Sequence, residues 1–337
     1  MGTIIHITSS SQSSTEEHLT DECKQLLLSL PKAKGWRTHF LYQYQGFWCQ
    51  ALEIQAIIYF QNHFEATDSD VVLATIPKSG TTWLKALAFT IVNRDCFDIS
   101  NNNHPLLTSN PHDLVPFFEY KLYANNQLPD LSKLADQPRL FGTHVPFASL
   151  ANSIKNSNCR IVYLCRNPFD TFVSSWNFTN KIRPPGFVSP LSLEEAFEMY
   201  CQGVVGFGPF WEHMLGYWKE SIKNPEKVLF LKYEDLKEDS LFHLKRLAKF
   251  LRCPFSLEED KHAVVEKIAK ICSFQSLKDL DVNKTGRSIK NFENKNLFRK
   301  GEVGDWVNYV SPEMAKKLSK VIEEKLGDSG LKFKVFS

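Results

Sequence analysis

A short apolar run that stops at a proline and a glycine constrains the fold of this chain more than any other feature. Residues 71–76, Val-Val-Leu-Ala-Thr-Ile, have the character of a strand buried on both faces of a parallel sheet. Pro77-Lys78-Ser79-Gly80 then breaks the run, and residues 81–92 predict a nearly all-apolar helix. A buried strand that turns directly into a helix is the repeating unit of α/β proteins.

The same unit occurs twice more. Residues 160–165 predict a second strand, followed by a helix over 170–178. Residues 228–233 predict a third strand, with a helix near 240–251. Strands that alternate with helices indicate a parallel sheet, because each helix returns the chain to the same end of the sheet. The sequence therefore predicts an α/β fold with a central, mainly parallel sheet flanked by helices.

Length and composition favour one domain. The 337 residues are 43% hydrophobic, which is enough for one large core, and no Pro/Gly/Ser-rich linker divides the middle of the chain. We expect a disordered Ser/Thr-rich tail at 1–15 and a single domain at 16–337. Residues 16–30 predict its first helix, and capping signals mark three later ones. These signals are Ser192 with Glu195, Ser256 with Glu259, and Ser311 with Pro312 and Gly327.

Charge and cysteine usage exclude several classes of function. The net charge of +2, from 40 basic and 38 acidic residues, gives no reason to expect a nucleic-acid or membrane surface. No apolar run reaches the ~18 residues of a membrane span, and the first residues lack the pattern of a signal peptide. The eight cysteines show no metal-binding spacing. We therefore expect a cytoplasmic protein with reduced thiols and no metal.

The turn after the first predicted strand is suited to hold an anion. Its backbone N–H groups from Ser79 to Thr82 lie at a helix N-terminus, where unsatisfied amides and the helix dipole attract negative charge. Gly80 allows close approach of a ligand, and Lys78 adds a full charge. An ordinary threonine-capped turn is the alternative. A Walker A loop does not fit, because its lysine follows the last glycine whereas Lys78 precedes Gly80.

Two further basic segments are candidates for anion binding. Arg166 ends the second predicted strand and Ser174 lies about two helical turns later, a pair suited to a second phosphate. An ion pair between Arg166 and Asp170 is the alternative. Residues 299–301, Arg-Lys-Gly, form a weaker candidate, because a solvated turn is the default for such a loop.

Two other sites have competing interpretations. His144, taken alone, fits a structural histidine better than a catalytic one. Glu234 and Asp235 follow the third predicted strand, as a magnesium-holding acid would, but solvated residues at the start of a helix fit them better. A metal-dependent nucleotide kinase is therefore a remote alternative.

The three basic segments together resemble the cytosolic sulfotransferases. Residues 77–83, Pro-Lys-Ser-Gly-Thr-Thr-Trp, are similar to the family's 5′-phosphosulfate loop. Residues 163–174 are similar to its 3′-phosphate signature, and residues 299–306, Arg-Lys-Gly-x-x-Gly-Asp-Trp, to its C-terminal signature. The resemblance implies the α/β fold predicted above, with a P-loop-like turn that binds the phosphosulfate.

Other segments resemble plant members in particular. Residues 30–36, Leu-Pro-Lys-Ala-Lys-Gly-Trp, are typical of them. Residues 110–119 and 206–213 are most similar to the hydroxyjasmonate sulfotransferase branch.

The resemblance implies an enzyme that moves the sulfonate of 3′-phosphoadenosine 5′-phosphosulfate (PAPS) to a hydroxyl of a small molecule, without a metal. It implies three groups of donor-binding residues. The 5′-phosphosulfate is held by Lys78, Ser79, Gly80, Thr81 and Thr82. The 3′-phosphate is held by Arg166, Ser174, Arg299, Lys300 and Gly301. The adenine lies between Trp83 and Phe274, with Tyr233, Cys272 and Ser273 around the nucleoside.

The resemblance also implies the catalytic residues. His144 takes the proton of the acceptor hydroxyl, a role that suits an imidazole whose pKa is near the working pH. Lys78 neutralises charge on the leaving phosphate oxygen, and Ser174 restrains Lys78 until the acceptor arrives.

The chain departs from the family in two places. Animal members often have a lysine two residues before the catalytic histidine, where this chain has Gly142. Stabilisation of the transition state from that side is therefore weaker or comes from elsewhere. The family's C-terminal dimer motif would fall at residues 307–316, where Val307, Ser311, Pro312 and Lys316 break it. We therefore expect a monomer, or a dimer made another way.

The acceptor is expected to be 12-hydroxyjasmonate, with a flavonol, a steroid or brassinosteroid, or a desulfoglucosinolate as alternatives. Aromatic side chains and one basic residue should line its pocket, because hydroxyjasmonate carries a carboxylate. The aromatic candidates are Phe117, Phe118, Tyr123, Phe147, Phe178, Phe207, Phe210 and Trp211. The basic candidates are Lys121 and Lys181. A catalytically inactive binding protein on the same scaffold is a further alternative, against which the intact motifs argue.

Overall fold

The apolar runs predicted as strands lie side by side in a parallel sheet, and a second, smaller sheet precedes it. The computed structural model describes residues 18–99, 103–134, 138–183, 190–289 and 293–334, so the tail predicted at 1–15 lies outside the described residues. The strands are β1 (Lys32–Lys34), β2 (Phe40–Tyr44), β3 (Phe47–Cys49), β4 (Val71–Thr75), β5 (Leu140–Thr143), β6 (Arg160–Cys165) and β7 (Val228–Lys232). β1 to β3 form an antiparallel sheet, and β4 to β7 form the parallel one.

Helices occupy most of the rest of the described chain. They are α1 (Asp21–Ser29), α2 (Ala51–His63), α3 (Thr81–Val92), α4 (Pro111–Leu114), α5 (Asn152–Asn156), α6 (Pro168–Lys181), α7 (Leu193–Cys201), α8 (Phe210–Lys223), α9 (Tyr233–Glu238), α10 (Ser240–Phe250), α11 (Leu257–Lys261), α12 (Val264–Ile271), α13 (Phe274–Asp279), α14 (Asp281–Thr285) and α15 (Pro312–Leu326). A π-helical turn covers Phe118–Leu122, between α4 and β5.

Each strand of the parallel sheet buries alternate residues on opposite faces. β4 and β6 lie at the centre of the strand order β5-β4-β6-β7, with Ala74 opposite Tyr163. Ala74 belongs to the apolar core on one face of the sheet, whereas Leu73 belongs to the core on the other face. Both faces are therefore dry, which explains why the strands are continuous apolar runs. The predicted α/β fold with a central parallel sheet is confirmed.

Most predicted helices are confirmed, with small shifts at their ends. α3 begins and ends where predicted, and α1 occupies part of the predicted 16–30. α6 begins at Pro168 rather than residue 170, because the Asn167 side chain caps it by accepting from the Phe169 amide. The third strand ends one residue early, since Tyr233 already begins α9. The predicted N-caps of three other helices are confirmed. They are Ser192, Ser256 and Ser311.

The antiparallel sheet has no counterpart among the predicted elements. Its strands are three to five residues long and β1 is Lys-Ala-Lys, so no alternating apolar pattern marks them. Gln45 and Gly46 join β2 to β3 with φ values of 49° and 86°, as a tight hairpin turn requires. The connection between β1 and β2 carries Arg37 to the wall of the cavity that the parallel sheet opens on.

Candidate active site

The carboxyl ends of the four parallel strands meet at one large cavity. Its volume is about 1060 Å³. Lys78 follows β4, His144 follows β5, Arg166 follows β6 and Tyr233 follows β7, and all four side chains line the cavity. This is the edge at which open α/β sheets bind their ligands. The sheet topology thus brings together residues that are far apart in the sequence.

The turn between β4 and α3 has two residues in the left-handed region. Lys78 has a φ of 70°, a conformation that costs a non-glycine residue on the order of 1 kcal/mol or more. Gly80 has a φ of 103°, and a Cβ there would lie only 2.8 Å from Cδ2 of Tyr233. The first amides of α3, beyond Gly80, have no intrahelical acceptor. The turn therefore presents free amides and a lysine to the cavity.

The hydroxyl groups of this turn differ in their surroundings. The Thr81 Oγ1 atom is 2.7 Å from Thr75 Oγ1, and the Thr82 Oγ1 atom is 3.1 Å from His112 Nε2. Both threonines line the cavity. Ser79 is fully buried, and its hydroxyl has no hydrogen-bond partner in the described part of the chain. Ser79 does not line the cavity, and its amide donates to the Ile76 carbonyl at 3.3 Å, so the free amides of the turn are those that follow it.

Lys78 lies in a strongly positive environment. Burial, together with the nearby charges of Arg299, Arg166 and Lys181, lowers its pKa to about 7. Its Nζ atom lies over the ring of Phe178, 3.7 Å from the centroid. Ser174, which was expected to restrain Lys78, lines the same cavity. Like charges held this close favour an anion between them.

Arg166 makes the ion pair that was its alternative interpretation and also lines the cavity. Its Nη2 atom lies 3.6 Å from Asp170 Oδ2 and donates to the carbonyl of Glu302. The guanidinium group lies 4.6 Å from the ring centroid of Tyr233. Its Nε atom is buried and has no partner in the described part of the chain. The ion pair therefore fixes Arg166 without using all of its donors.

Residues 299–301 form an anchored loop rather than a solvated turn. Asp305 accepts from both Arg299 and Lys300, with the Lys300 contact at 2.6 Å. Gly301 has a φ of 70°, and a Cβ there would lie 2.5 Å from Cδ2 of Phe274. The Tyr233 hydroxyl donates to the Gly301 carbonyl at 3.0 Å. These contacts place the loop on the cavity wall beside Arg166.

An aromatic recess adjoins the basic residues. Trp83 and Tyr233 meet edge to face at 5.4 Å, and Ser273 and Phe274 also line this part of the cavity. Cys272 does not belong to the wall, because it is fully buried with its Sγ atom 3.5 Å from Thr90 Oγ1. The expected place of Cys272 beside the nucleoside is therefore wrong for its side chain.

His144 has a fixed orientation and a defined tautomer. Its Nδ1 atom is 2.7 Å from the Thr75 carbonyl oxygen, which can only accept, so Nδ1 carries the proton. The remaining nitrogen, Nε2, is then the basic atom of the ring. Burial lowers the pKa of His144 to about 3, against the hydrogen bond to Thr75, which raises it. A general base is expected to have a pKa near the working pH. The pKa of His144 lies well below that value, because the site is dry and positively charged.

Comparison with known proteins gives one consistent result. The sulfotransferase domain family matches residues 68–330. Cytosolic sulfotransferase 15 of Arabidopsis thaliana is 63% identical over 322 residues, which cover 95% of this chain and 89% of that protein. Cytosolic sulfotransferase 14 of the same plant is 60% identical over 329 residues, which cover 96% and 94%. The chain belongs to the sulfotransferase family. It is a PAPS-dependent sulfotransferase of the plant cytosolic type.

Solved sulfotransferase structures share this fold. A putative steroid sulphotransferase of Arabidopsis thaliana is 40% identical, with a TM-score of 0.74 over 99% of this chain and all of that one. Mouse sulfotransferase SULT7A1, complexed with PAP, is 25% identical, with a TM-score of 0.63 over 86% and 95%. The nucleotide-kinase alternative is wrong. In this sulfotransferase Glu234 accepts from the Asn167 amide at 2.8 Å and stabilises the turn after β6.

The part of the chain that the structure describes shows neither a candidate metal site nor a candidate membrane-spanning helix. No group of three or more His, Cys, Asp or Glu side chains is placed to hold a metal ion. No helix there is both long and apolar enough to cross a membrane.

Glu119 is a site residue that sequence reasoning missed. It lies on the π-helical turn and lines the cavity beside His144. Its carboxylate accepts from the His144 amide at 2.7 Å and from the Thr143 hydroxyl at 3.1 Å. Burial raises its pKa to about 7. Residues 110–119 marked the plant branch in the sequence, but nothing in that pattern shows that its last residue reaches the histidine.

Only some of the aromatic residues predicted for the acceptor pocket line the cavity. Phe117, Phe178 and Phe207 line the cavity of this sulfotransferase. The other aromatic candidates pack within the apolar core or against it. They are Phe118, Tyr123, Phe147, Phe210 and Trp211.

The two lysines predicted to face the pocket are not among the residues that line the cavity. Lys121 is exposed and pairs with Asp113 at 2.6 Å, and Lys181 is exposed at the end of α6. Besides Arg166 and Arg299, the arginines that line the cavity are Arg37 and Arg183. The turn and the helix that carry these lysines leave both side chains exposed to solvent. The positions of the lysines in the sequence do not reveal this.

His213 should make the stability of this sulfotransferase depend on pH. Burial lowers its pKa to about 4, so in the folded protein it stays neutral while the unfolded chain takes up a proton below its ordinary pKa of about 6.5. Stability from this residue is thus lost as the pH falls from about 6.5 towards 4. Relative to about pH 7.5, its loss at about pH 5 is on the order of 2 kcal/mol.

The variant His213→Gln isolates this effect, because its amide can still donate to the His144 carbonyl, which His213 Nε2 reaches at 2.8 Å. We expect urea unfolding of the variant to be less sensitive to pH by about that amount. Equal pH sensitivity of variant and wild type would contradict the assignment. The control is His262→Gln, because the His262 side chain is 68% accessible to solvent.

Proposed function

We propose that the cavity binds PAPS across the carboxyl ends of the strands. The 5′-phosphosulfate lies on the turn from Lys78 to Thr82, whose lysine and first helical residues, Thr81 and Thr82, line the cavity. The 3′-phosphate lies between Arg166 with Ser174 and the loop 299–301. The adenine occupies the recess between Trp83 and Phe274. The observation that carries this proposal is the separation of two basic sites by an aromatic recess in one cavity.

We further propose that His144 is the general base and that Lys78 stabilises the leaving phosphate oxygen. The hydrogen bond from Nδ1 to Thr75 leaves Nε2 free to take the proton of an acceptor hydroxyl. Negative charge bound beside Lys78 raises the pKa of His144 from its low value, because opposite charges favour the protonated ring. The base thus becomes competent when the donor is in place.

The acceptor that fits the remaining lining is an apolar alcohol with a carboxylate, and we propose 12-hydroxyjasmonate. Phe117 and Phe207 provide the apolar wall. Arg37 lies on the same wall, with Nη2 3.8 Å from Glu53 Oε1. This distance is long for an ion pair, so a substrate carboxylate can compete for the guanidinium group. An uncharged steroid is the second candidate, because one solved relative is named a putative steroid sulphotransferase.

An acceptor series tests this assignment. The free enzyme is incubated with PAPS and 12-hydroxyjasmonate, its methyl ester, a flavonol, a hydroxysteroid or a desulfoglucosinolate, and sulfonated product is measured by mass spectrometry. We expect Arg37→Met to raise KM for the free acid by about 10- to 100-fold, the loss of a charge-assisted hydrogen bond, and to leave the methyl ester unaffected.

Arg246→Met is the matched control, since Arg246 is exposed and lies outside the cavity. Sulfonation of the steroid or the flavonol with no product from 12-hydroxyjasmonate would overturn the acceptor assignment while leaving the donor site intact.

We also propose that the enzyme acts in the cytoplasm, because its relatives in Arabidopsis thaliana are named cytosolic sulfotransferases. The broken motif at 307–316 supports a monomer, and a stable dimer in light scattering would contradict it.

A further inference from the structure

A lysine is buried directly behind the cavity wall. Lys85 lies on α3, one helical turn after Thr81, and its side chain is fully buried. A Cβ atom at Gly142 of β5 would overlap both Cε and Nζ of Lys85. The amine therefore occupies the space that a side chain at position 142 would take. Only glycine at 142 allows this arrangement.

The amine contacts the segment that supports His144. Lys85 Nζ donates to the Val115 carbonyl at 2.8 Å and lies 3.1 Å from the ring centroid of Phe117. Phe117 lines the cavity and meets the His144 ring at 4.8 Å. The next turn carries Glu119, which accepts from the His144 amide. One amine thus joins the helix of the donor-binding turn to the segment behind the histidine.

We propose that Lys85 is a positioning residue for sulfonate transfer, which holds Phe117 and the Glu119 segment against His144 from the space left by Gly142. The proposal rests on the proposed role of His144 as the base. It accounts for the missing lysine at position 142, because the amine arrives from α3 instead of from β5.

Electrostatics support the same role. The charge of Lys85 lowers the pKa of His144 and that of His112, and it also lowers the pKa of Glu119. Burial holds the pKa of Lys85 itself well below its usual value. The other titratable groups that act on His144, Glu119 or Lys85 from neighbouring elements are Lys78, His213, Asp113 and Lys121. Removal of the amine should therefore raise the pKa of His144.

The variant Lys85→Met removes the amine and keeps the length of the side chain. We expect kcat to fall by ~10- to 100-fold, as for loss of a buried charge-assisted hydrogen bond. We expect PAP affinity, measured by calorimetry, to stay near the wild-type value, and the acid limb of the kcat/KM profile to move to higher pH. Lys267→Met, at an exposed lysine of α12, is the control.

Relocation of the amine separates positioning from simple packing. Gly142→Lys alone should lose activity, because its side chain overlaps Lys85. The double variant Lys85→Ala, Gly142→Lys offers an amine from β5 in the vacated space, and we expect it to recover most of the kcat lost in Lys85→Ala. If Lys85→Met does not fold, Gly142→Ala displaces the amine by its Cβ and should show the same fall in kcat.

Three results would overturn the proposal. They are wild-type kcat and pH profile in folded Lys85→Met, unchanged kcat in Gly142→Ala, and a double variant that recovers thermal stability without kcat. His144→Ala is assayed alongside. If His144→Ala is inactive and Lys85→Met is fully active, only the role of Lys85 is refuted. If His144→Ala is active, the base assignment itself is refuted.

Discussion

Replacing His144 with alanine is expected to lower kcat by ~100- to 10,000-fold, the usual contribution of a positioned general base. The acceptor hydroxyl keeps its proton until the transition state, and Nε2 of His144 is the basic atom that the Thr75 hydrogen bond leaves available. PAP affinity should change little, because the phosphate sites are formed by other residues. Steady-state kinetics and calorimetry with PAP measure the two effects separately.

The control for this variant is His262→Ala, since His262 is exposed and pairs only with Glu258 among the described residues. Turnover of His144→Ala near the wild-type rate, with PAP bound normally, would show that another group takes the proton. If the variant lost both PAP binding and turnover, His144 would instead have a structural role. This is the interpretation that fits a histidine considered without the family resemblance.

Replacing Lys78 with methionine is expected to separate catalysis from binding. We expect kcat to fall by ~100- to 1,000-fold, as when one charge-stabilising donor is removed from a dry active site. The affinity for PAP should fall less, because Lys78 is repelled by Arg166 and Arg299, and its removal relieves that repulsion. Methionine keeps the length of the side chain, and Lys267→Met again provides an exposed control.

Equal losses in kcat and in PAP affinity would mean that Lys78 only binds the donor, and would contradict its role at the leaving oxygen. Measurement at about pH 6 and about pH 8 adds a second test, since the pKa of Lys78 is about 7 without a bound anion. PAP should bind more tightly at the lower pH in the wild type, and this difference should shrink in the variant.

The sequence alone predicted the fold and the donor side of the proposed site. Residues 71–76 predict β4 because both faces of a parallel strand are dry, and Lys78 and Gly80 follow where the chain must turn. Local chemistry decides these features, since a helix N-terminus, a glycine with positive φ and a lysine carry their function within a few residues. The order of the three basic segments then indicated the family before any geometry was known.

The lining of the proposed acceptor side depends on tertiary structure alone. Whether an aromatic side chain lines a cavity or packs in a core depends on which helix covers it, so Phe117 and Phe118 differ although they are neighbours. The three-stranded sheet brings Arg37 to the wall from a segment without a strand pattern.

The surroundings of His144 also required the fold. Thr75 and Glu119 approach it from two different elements, and the pKa of the ring follows from how deeply these elements bury it. Gly142 appeared in the sequence as a missing lysine, yet the Lys85 amine occupies its space from α3. The sequence identifies residues whose role depends on the local backbone. Residues that contact one another from distant parts of the chain are identified only once the fold brings the strands together.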